Sequence, residues 1–287
     1  MQTHRTVGRN RFVGCLAVLL LLTAAGAKAA DPPDERPLSF GVLPFMSPIA
    51  LLKRFAPLRD HLAERIGQPV VLETARDYPE FVQRTAERRY DVLLTAPHFT
   101  LLALDSGHYT VSATYLDELA AVVLVRAGDE IRATTDLAGK VIATPPREAI
   151  VTRVGQRLLE AQMTGHAPPV YRRYLSHNAA YHAVAGGGAS AAVVTVNVVK
   201  RATSAEFGLV ELTRSPGFPA MGILTAADLP PEVRRRATDA FIELTEHEAG
   251  RELLRSIGYP GYRAAAPEEF QSLRSYTSDQ PPAVQEP

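Results

Sequence analysis

Apolar residues along this chain fall into short unbroken runs and longer stretches with helical spacing. Leu38-Ser39-Phe40-Gly41-Val42-Leu43 reads as a buried strand. Leu51, Phe55, Leu58, Leu62 and Ile66 recur at helical spacing and predict a helix. Pro57 either kinks that helix or opens a second segment, and Gly67 is a good C-terminal stop. Pro69 to Glu73 is the next strand. Asp77-Tyr78-Pro79-Glu80 fits a helix start, with Asp77 as N-cap and Glu80 as the reciprocal partner, and the helix runs to about Arg89. Asp91 to Thr95 is a third strand, and Pro97 opens another helix. Residues 38–106 therefore read β-α-β-α-β-α, the order of a parallel sheet covered by helices.

The same alternation starts again downstream. Strands are expected at Ala120 to Val125, Val141 to Thr144, Val170 to Leu175 and Ala191 to Thr195. Helices are expected at Arg147 to Met163 and Ala179 to Ala185, with Asn178 as the N-cap of the second. Strands Gly208 to Thr213 and Met221 to Thr225 follow, then helices Pro230 to Glu246, Ala249 to Ile257 and Pro267 to Tyr276. Two successive α/β runs predict an α/β clamshell of two lobes, each a mainly parallel sheet flanked by helices. Lobe one is expected to comprise 38–120 plus 213–277, and lobe two 121–212.

The two ends of the chain differ from this body. Arg5, Arg9 and Arg11 precede an apolar run from Phe12 to Ala27, and Ala27-Lys28-Ala29 supplies a small-x-small pattern. Residues 1–29 read as a cleaved secretory signal peptide, because the apolar run falls short of the ~20 residues that span a bilayer. Residues 278–287 (SDQPPAVQEP) read as a disordered tail. The whole chain has 31 Lys+Arg and 31 Asp+Glu. Cleavage removes Arg5, Arg9, Arg11 and Lys28, leaving 27 basic against 31 acidic residues, a formal charge of −4. This argues against a nucleic-acid partner. Cleavage also removes Cys15, the only cysteine, which excludes thiolate chemistry and a disulfide framework. A soluble periplasmic monomer is expected.

In open parallel sheets, ligands bind beyond the carboxyl ends of the strands. The loops to inspect therefore follow each strand. Pro44-Phe45-Met46-Ser47-Pro48 offers an aromatic wall and a hydroxyl, or an ordinary turn. Tyr78 stands at a helix start, where it points into a cleft or packs on the sheet. Thr95 and His98 flank the start of the next helix; both can donate to a ligand, or Thr95 serves as N-cap and His98 is exposed. Arg147 and Glu148 open the long helix of the second run. Arg147 faces inward to a ligand or outward to water, and Glu148 opposes an anion or supports the first turn. His177 and Asn197 likewise follow strands. His177 and His182 are five apart, which does not align two metal ligands on one helix face. Gly186-Gly187-Gly188 lacks the Lys-Ser/Thr ending of a phosphate loop and lies after a helix, so it reads as helix termination. There is no nucleophile elbow, no H-E-x-x-H helix and no carboxylate pair of distinctive spacing. No catalysis, cofactor or metal is expected.

Several stretches carry a family resemblance. PLRDHLAERIGQPVVLETARDYPEFVQ (57–83), YDVLLTAPHFTLLA (90–103), DLAGKVIATP (136–145) and SHNAAYHAVAGGGASAAVVTVNV (176–198) stand in a shared order and spacing. Over roughly residues 38–260 the chain resembles the periplasmic substrate-binding proteins of the phosphate/phosphite/phosphonate ABC importers. The resemblance implies a type II periplasmic binding fold. It also implies a small polar anion, phosphonate- or phosphate-like, captured between the lobes and delivered to a membrane permease. The same fold also serves sensory subunits that signal to a membrane histidine kinase, which is the alternative. The family's binding tyrosine matches Tyr78 and its second-lobe histidine matches His177. Its Ser-Thr-Ser cluster has no counterpart, since 145–149 reads Pro-Pro-Arg-Glu-Ala. The acidic residue after the last second-lobe strand is replaced by Thr195-Val196-Asn197. The expected site is therefore Tyr78, Thr95, His98, Arg147, His177 and Asn197, with Arg147 and His177 supplying much of the second-lobe attraction.

Overall fold

The computed structural model describes residues 36–201 and 208–277. The expected signal peptide and C-terminal tail lie outside these residues. Strand β1 (Leu38–Val42) is wholly buried, as its apolar run requires. Helix α1 (Pro48–Ile66) is continuous through Pro57. It turns Leu51, Phe55, Leu58, Leu62 and Ile66 to the core, while Pro57 lies on the solvent side. There the carbonyl that the proline leaves unbonded can meet water, so the ring does not end the helix. Gly67 closes it in the left-handed region at φ 78°. Strand β2 (Val70–Glu73), helix α2 (Tyr78–Ala86), strand β3 (Val92–Thr95) and helix α3 (Pro97–Asp105) follow as the pattern predicts.

The chain then makes a strand that the pattern reading passed over, β4 (Tyr109–Tyr115), before entering a second run. That run is β5 (Ala121–Arg126), β6 (Val141–Thr144), α4 (Ile150–Gln162), β7 (Val170–Arg173), α5 (His177–Ala185), β8 (Ala191–Thr195), the short α6 (Val196–Arg201) and β9 (Leu209–Arg214). Strand β10 (Gly222–Ala226), helices α7 (Pro231–Glu246) and α8 (Glu248–Ile257) and strand β11 (Tyr262–Ala264) complete the regular elements. The last predicted helix, Pro267–Tyr276, is a 3-10 helix.

Two sheets result, in the orders β11-β4-β10-β3-β1-β2 and β7-β6-β8-β5-β9. Both are mixed rather than mainly parallel. Strands joined through helices pair parallel: β1 with β2 and β3, and β6 with β7 and β8. The remaining pairs are antiparallel: β10 enters between β3 and β4, β5 enters between β8 and β9, and β11 pairs with β4 at the edge. In each sheet the inserted strand is the one reached directly from the other sheet. A strand arriving without a crossover helix on its own sheet is free to pair antiparallel.

The chain crosses between the sheets twice, through residues 116–120 and 215–221. These crossings are bonded to each other. Leu119 and Phe218 exchange backbone hydrogen bonds of 2.9 Å in both directions. Ser215 Oγ accepts from the Ala121 amide at 3.0 Å. The 3-10 segment 267–276 also joins elements of both sheets. Arg274 donates twice to Asp105 on α3 at 2.8 Å, and Arg153 on α4 donates to the Tyr276 carbonyl at 2.9 Å. Phe270 and Leu273 are buried with Leu101 of α3 and Ile150 of α4.

Two close contacts set the elements that carry the cavity. Gly155 lets α4 lie directly on β8, where any Cβ would run into Val193 Cγ1. At the base of the first sheet, Asp91 is almost fully buried. It accepts from Arg36 through two bonds of 2.7 and 2.8 Å, from the Ser39 amide at 2.8 Å and from Arg88 at 3.1 Å. Burial alone would raise its pKa. The Arg36 pair, the Ser39 amide and Arg88 outweigh that and hold it below the usual carboxylate range.

Two outcomes follow. Asp91→Ala should cost about 3 kcal/mol in urea denaturation, the lower end for a broken buried pair, because Arg36 is exposed enough to rehydrate. The Asp91 contribution is complete above the unfolded carboxylate pKa of about 3.9 and is lost as pH falls through the lower folded value, so acid should narrow the gap between wild type and variant. Gly155→Ala should cost about 1–3 kcal/mol by the same measurement, since Val193 is fully buried and has nowhere to move.

Candidate functional site

A cavity of about 260 Å³ lies where the carboxyl ends of the helix-linked strands meet. Its walls are built largely from helix starts. Tyr78 is the first residue of α2, Pro97 and His98 open α3, Ile150 and Val151 open α4, and His177 opens α5. All four helices follow a strand of a parallel pair, so all four amino ends arrive at the same edges.

The caps divide these helices into two kinds. Asp77 Oδ1 accepts from the Glu80 amide at 2.9 Å and closes α2. Glu80 answers from the Arg76 amide at 3.0 Å, one residue before the expected partner. Ser176, not Asn178, caps α5, accepting from the Ala179 amide at 3.1 Å. The N-caps of α3 and α4 are Ala96 and Ala149, which have no side-chain acceptor. Thr95 therefore does not cap α3. The starts of α3 and α4 line the cavity with no capping side chain, an arrangement suited to an anion.

Of the six residues expected at the site, Tyr78, His98, His177 and Asn197 line the cavity. Thr95 is buried beneath its wall and is not part of the lining. Arg147 is not brought to it. The Arg147 side chain is 68% exposed and its Nε donates to Glu148 at 3.1 Å, so the guanidinium faces water. Glu148 lines the cavity in its place. Among the described residues, the lining contains no Lys or Arg.

The rest of the wall is aromatic and apolar. Phe45, Phe99, Tyr115 and Tyr259 contribute rings, and Leu43, Leu119 and Met221 contribute aliphatic surface. Tyr78 packs on Phe99 with ring centroids 6.0 Å apart, and Tyr115 on Tyr259 at 4.8 Å. Sequence reasoning singled out Phe45 as a wall but missed Tyr115 and Tyr259. Tyr115 ends β4, whose alternation of Tyr109, Val111, Ala113 and Tyr115 with polar residues was the available signal. Tyr259 lies beyond α8, far along the chain, and carries no local signal.

His98 is the most perturbed group of the wall. It is 4% exposed, and neither ring nitrogen makes a hydrogen bond of standard geometry. Burial pushes its pKa down to about 3, the Arg153 guanidinium adds to the fall, and the backbone of Glu148 opposes it in part. His98 is therefore a neutral imidazole that offers one donor and one acceptor. Thr195 Oγ1, also at the wall, is buried without a partner. The Tyr78 phenol is pushed up by burial, with the Glu148 charge adding to the shift.

The sequence profile of one family, described as periplasmic substrate-binding protein of phosphonate ABC transporters, matches residues 40–270. Solved structures agree on the fold. PhnD1 from Prochlorococcus marinus (MIT 9301), in complex with methylphosphonate, superposes with a TM-score of 0.69 at 14% identity, over 84% of this chain and 96% of that one. XAC2383 from Xanthomonas citri, bound to chloride ion, gives 0.69 at 14% identity over 83% and 96%. The binding protein component of a phosphonate ABC transporter from Pseudomonas aeruginosa gives 0.64 at 15% identity over 85% and 86%. These are type II periplasmic binding folds.

The His98 signals in an NMR pH titration should stay at their neutral positions between pH 8 and 5, since the folded pKa is about 3. An unfolded histidine gains its proton near 6.5, so His98 should withdraw stability as pH falls below about 6.5, progressively down to the folded value.

Proposed function

This chain belongs to the periplasmic substrate-binding proteins of phosphonate ABC transporters, and we propose that it captures a small phosphonate- or phosphate-type anion in the described cavity for delivery to an importer permease. The observation that carries the reading is the meeting of two uncapped helix starts, α3 from the first sheet and α4 from the second, at one cavity. Each helix start is worth roughly 0.3–1 kcal/mol to an anion, and up to ~2 in buried geometry. A micromolar ligand needs about 8 kcal/mol, so direct hydrogen bonds from the wall must supply the remainder. Tyr78, His98, His177 and Asn197 are the side chains proposed to supply them. The missing hydroxyl cluster is replaced, in this reading, by backbone amides rather than by Arg147.

The proposal includes a periplasmic location after removal of residues 1–29, and action as a monomer. It also includes two lobes that close on the ligand about the paired crossings, with the second lobe extended from the expected 212 to 214 because β9 runs to Arg214 in the second sheet. The family profile, that of an ABC-transporter component, favours the importer over the sensory alternative.

Isothermal titration with methylphosphonate and with inorganic phosphate tests this reading. His177→Ala and Asn197→Ala should each weaken the preferred anion about tenfold, the loss of one hydrogen bond to a charged group. Arg147→Ala should change affinity by less than about twofold, as expected for an exposed pair. Failure of the wild-type protein to bind either oxyanion or any organic derivative of them would overturn the reading.

A further inference from the structure

Resting on that reading, we propose that the phosphoryl anion taken by this cavity carries an apolar substituent the size of a phenyl ring, and that Leu43, Phe45, Tyr115, Leu119, Met221 and Tyr259 form the subsite that selects it. The polar groups of the wall are unevenly placed. Glu148, His177, Thr195 and Asn197 all come from the second run, beside the starts of α4 and α5 and around the end of β8. Tyr78 and His98 open α2 and α3. The rest of the first-sheet side brings only rings and aliphatic chains. Leu43 and Phe45 follow β1, Tyr115 ends β4, Tyr259 follows α8, and Leu119 and Met221 stand on the two crossings. In a pocket divided this way a few polar groups fix one end of the ligand, and the apolar wall holds its body.

The apolar part of the wall is held in place from behind. The Phe45 and Phe55 rings meet edge to face with centroids 6.0 Å apart, and Phe55 meets Tyr259 at 5.6 Å. Tyr259 meets Tyr115 at 4.8 Å, and Tyr115 meets Tyr262 at 5.3 Å. Phe55 and Tyr262 are fully buried, so this line of rings runs from the cavity surface into the core of the first sheet. The Arg54 guanidinium lies 5.6 Å from the centre of the Tyr259 ring and is itself fixed, its Nε donating to the Ile257 carbonyl at 2.6 Å. Rings packed on one another in this way do not fold inward to fill a space beside them. A cavity of about 260 Å³ has room for roughly nine waters at ~30 Å³ each. Inorganic phosphate and methylphosphonate have too little carbon to cover these side chains. Water left among rings and aliphatic chains would lack the polar partners it needs. An apolar ring in the same place gains dispersion contacts with the aliphatic chains and offset or edge contacts with the aromatic ones.

The test is isothermal titration with phenylphosphonate and phenyl phosphate, set against methylphosphonate and inorganic phosphate. The wild-type protein should bind at least one phenyl ligand about tenfold or more tighter than methylphosphonate, from the additional apolar surface removed from water. Which phenyl ligand binds tighter tells a carbon–phosphorus linkage from an ester. Met221→Gln and Leu119→Asn nearly keep the shape of the side chain and make the subsite polar. In each, the ratio of phenyl to methyl affinity should fall about threefold or more. A purely structural loss would weaken both ligands equally and leave the ratio unchanged, which would overturn the proposal. Wild-type affinity for methylphosphonate or phosphate that matches or exceeds that for both phenyl ligands would overturn the apolar subsite and leave the oxyanion reading standing. Binding of no oxyanion at all would remove both.

Discussion

A parallel strand that hands its chain to a helix delivers that helix's amino end to the carboxyl edge of the sheet. Here β2, β3, β6 and β7 each do so, and α2, α3, α4 and α5 start at the same cavity. Backbone polar groups at a helix start need a partner. Asp77 and Ser176 provide one for α2 and α5. For α3 and α4 the alanine N-caps provide none. The proposed role of the cavity as an anion site thus begins in the topology, before any particular side chain is considered.

The wall chemistry modifies this field. A carboxylate and a neutral imidazole border the uncapped amides, and rings fill much of the remaining surface. The contrast with Asp91 is instructive. That carboxylate is more deeply buried than Glu148 yet is surrounded by Arg36, Arg88 and the Ser39 amide, so its charge is spent inside the fold. Glu148 has an exposed Arg147 on one oxygen, and its charge reaches the Tyr78 phenol on the cavity wall. Burial alone does not mark a functional charge; what the charge faces does.

The two sheets are linked by more than their crossings. The Leu119–Phe218 bridge ties the crossings together. The segment 267–276 holds α3 and α4, two helices whose uncapped starts line the cavity, through Asp105, Arg153 and the buried Phe270 and Leu273. The segment therefore holds α3 at its carboxyl end and α4 in its first turn.

Much of this was legible in the order of residues. Helical spacing from Leu51 to Ile66, the apolar runs at β1, β3, β5 and β8, and the capping pattern at Asp77 are local signals, because periodicity and caps act within a few residues. The strand-to-helix order placed Tyr78, His98, His177 and Asn197 at strand ends, and all four line the cavity. Tertiary structure decided the rest. Whether Arg147 turns inward depends on what competes for it, and Glu148 beside it and open water won. Whether a strand pairs parallel or antiparallel depends on which sheet it comes from, which no run of β10 or β5 records. The neutrality of His98 arises from complete burial by distant neighbours, and Tyr259 reaches the wall from beyond α8. Local physics writes elements into the sequence; side-chain direction, partner choice and pKa are set by neighbours that only folding brings close.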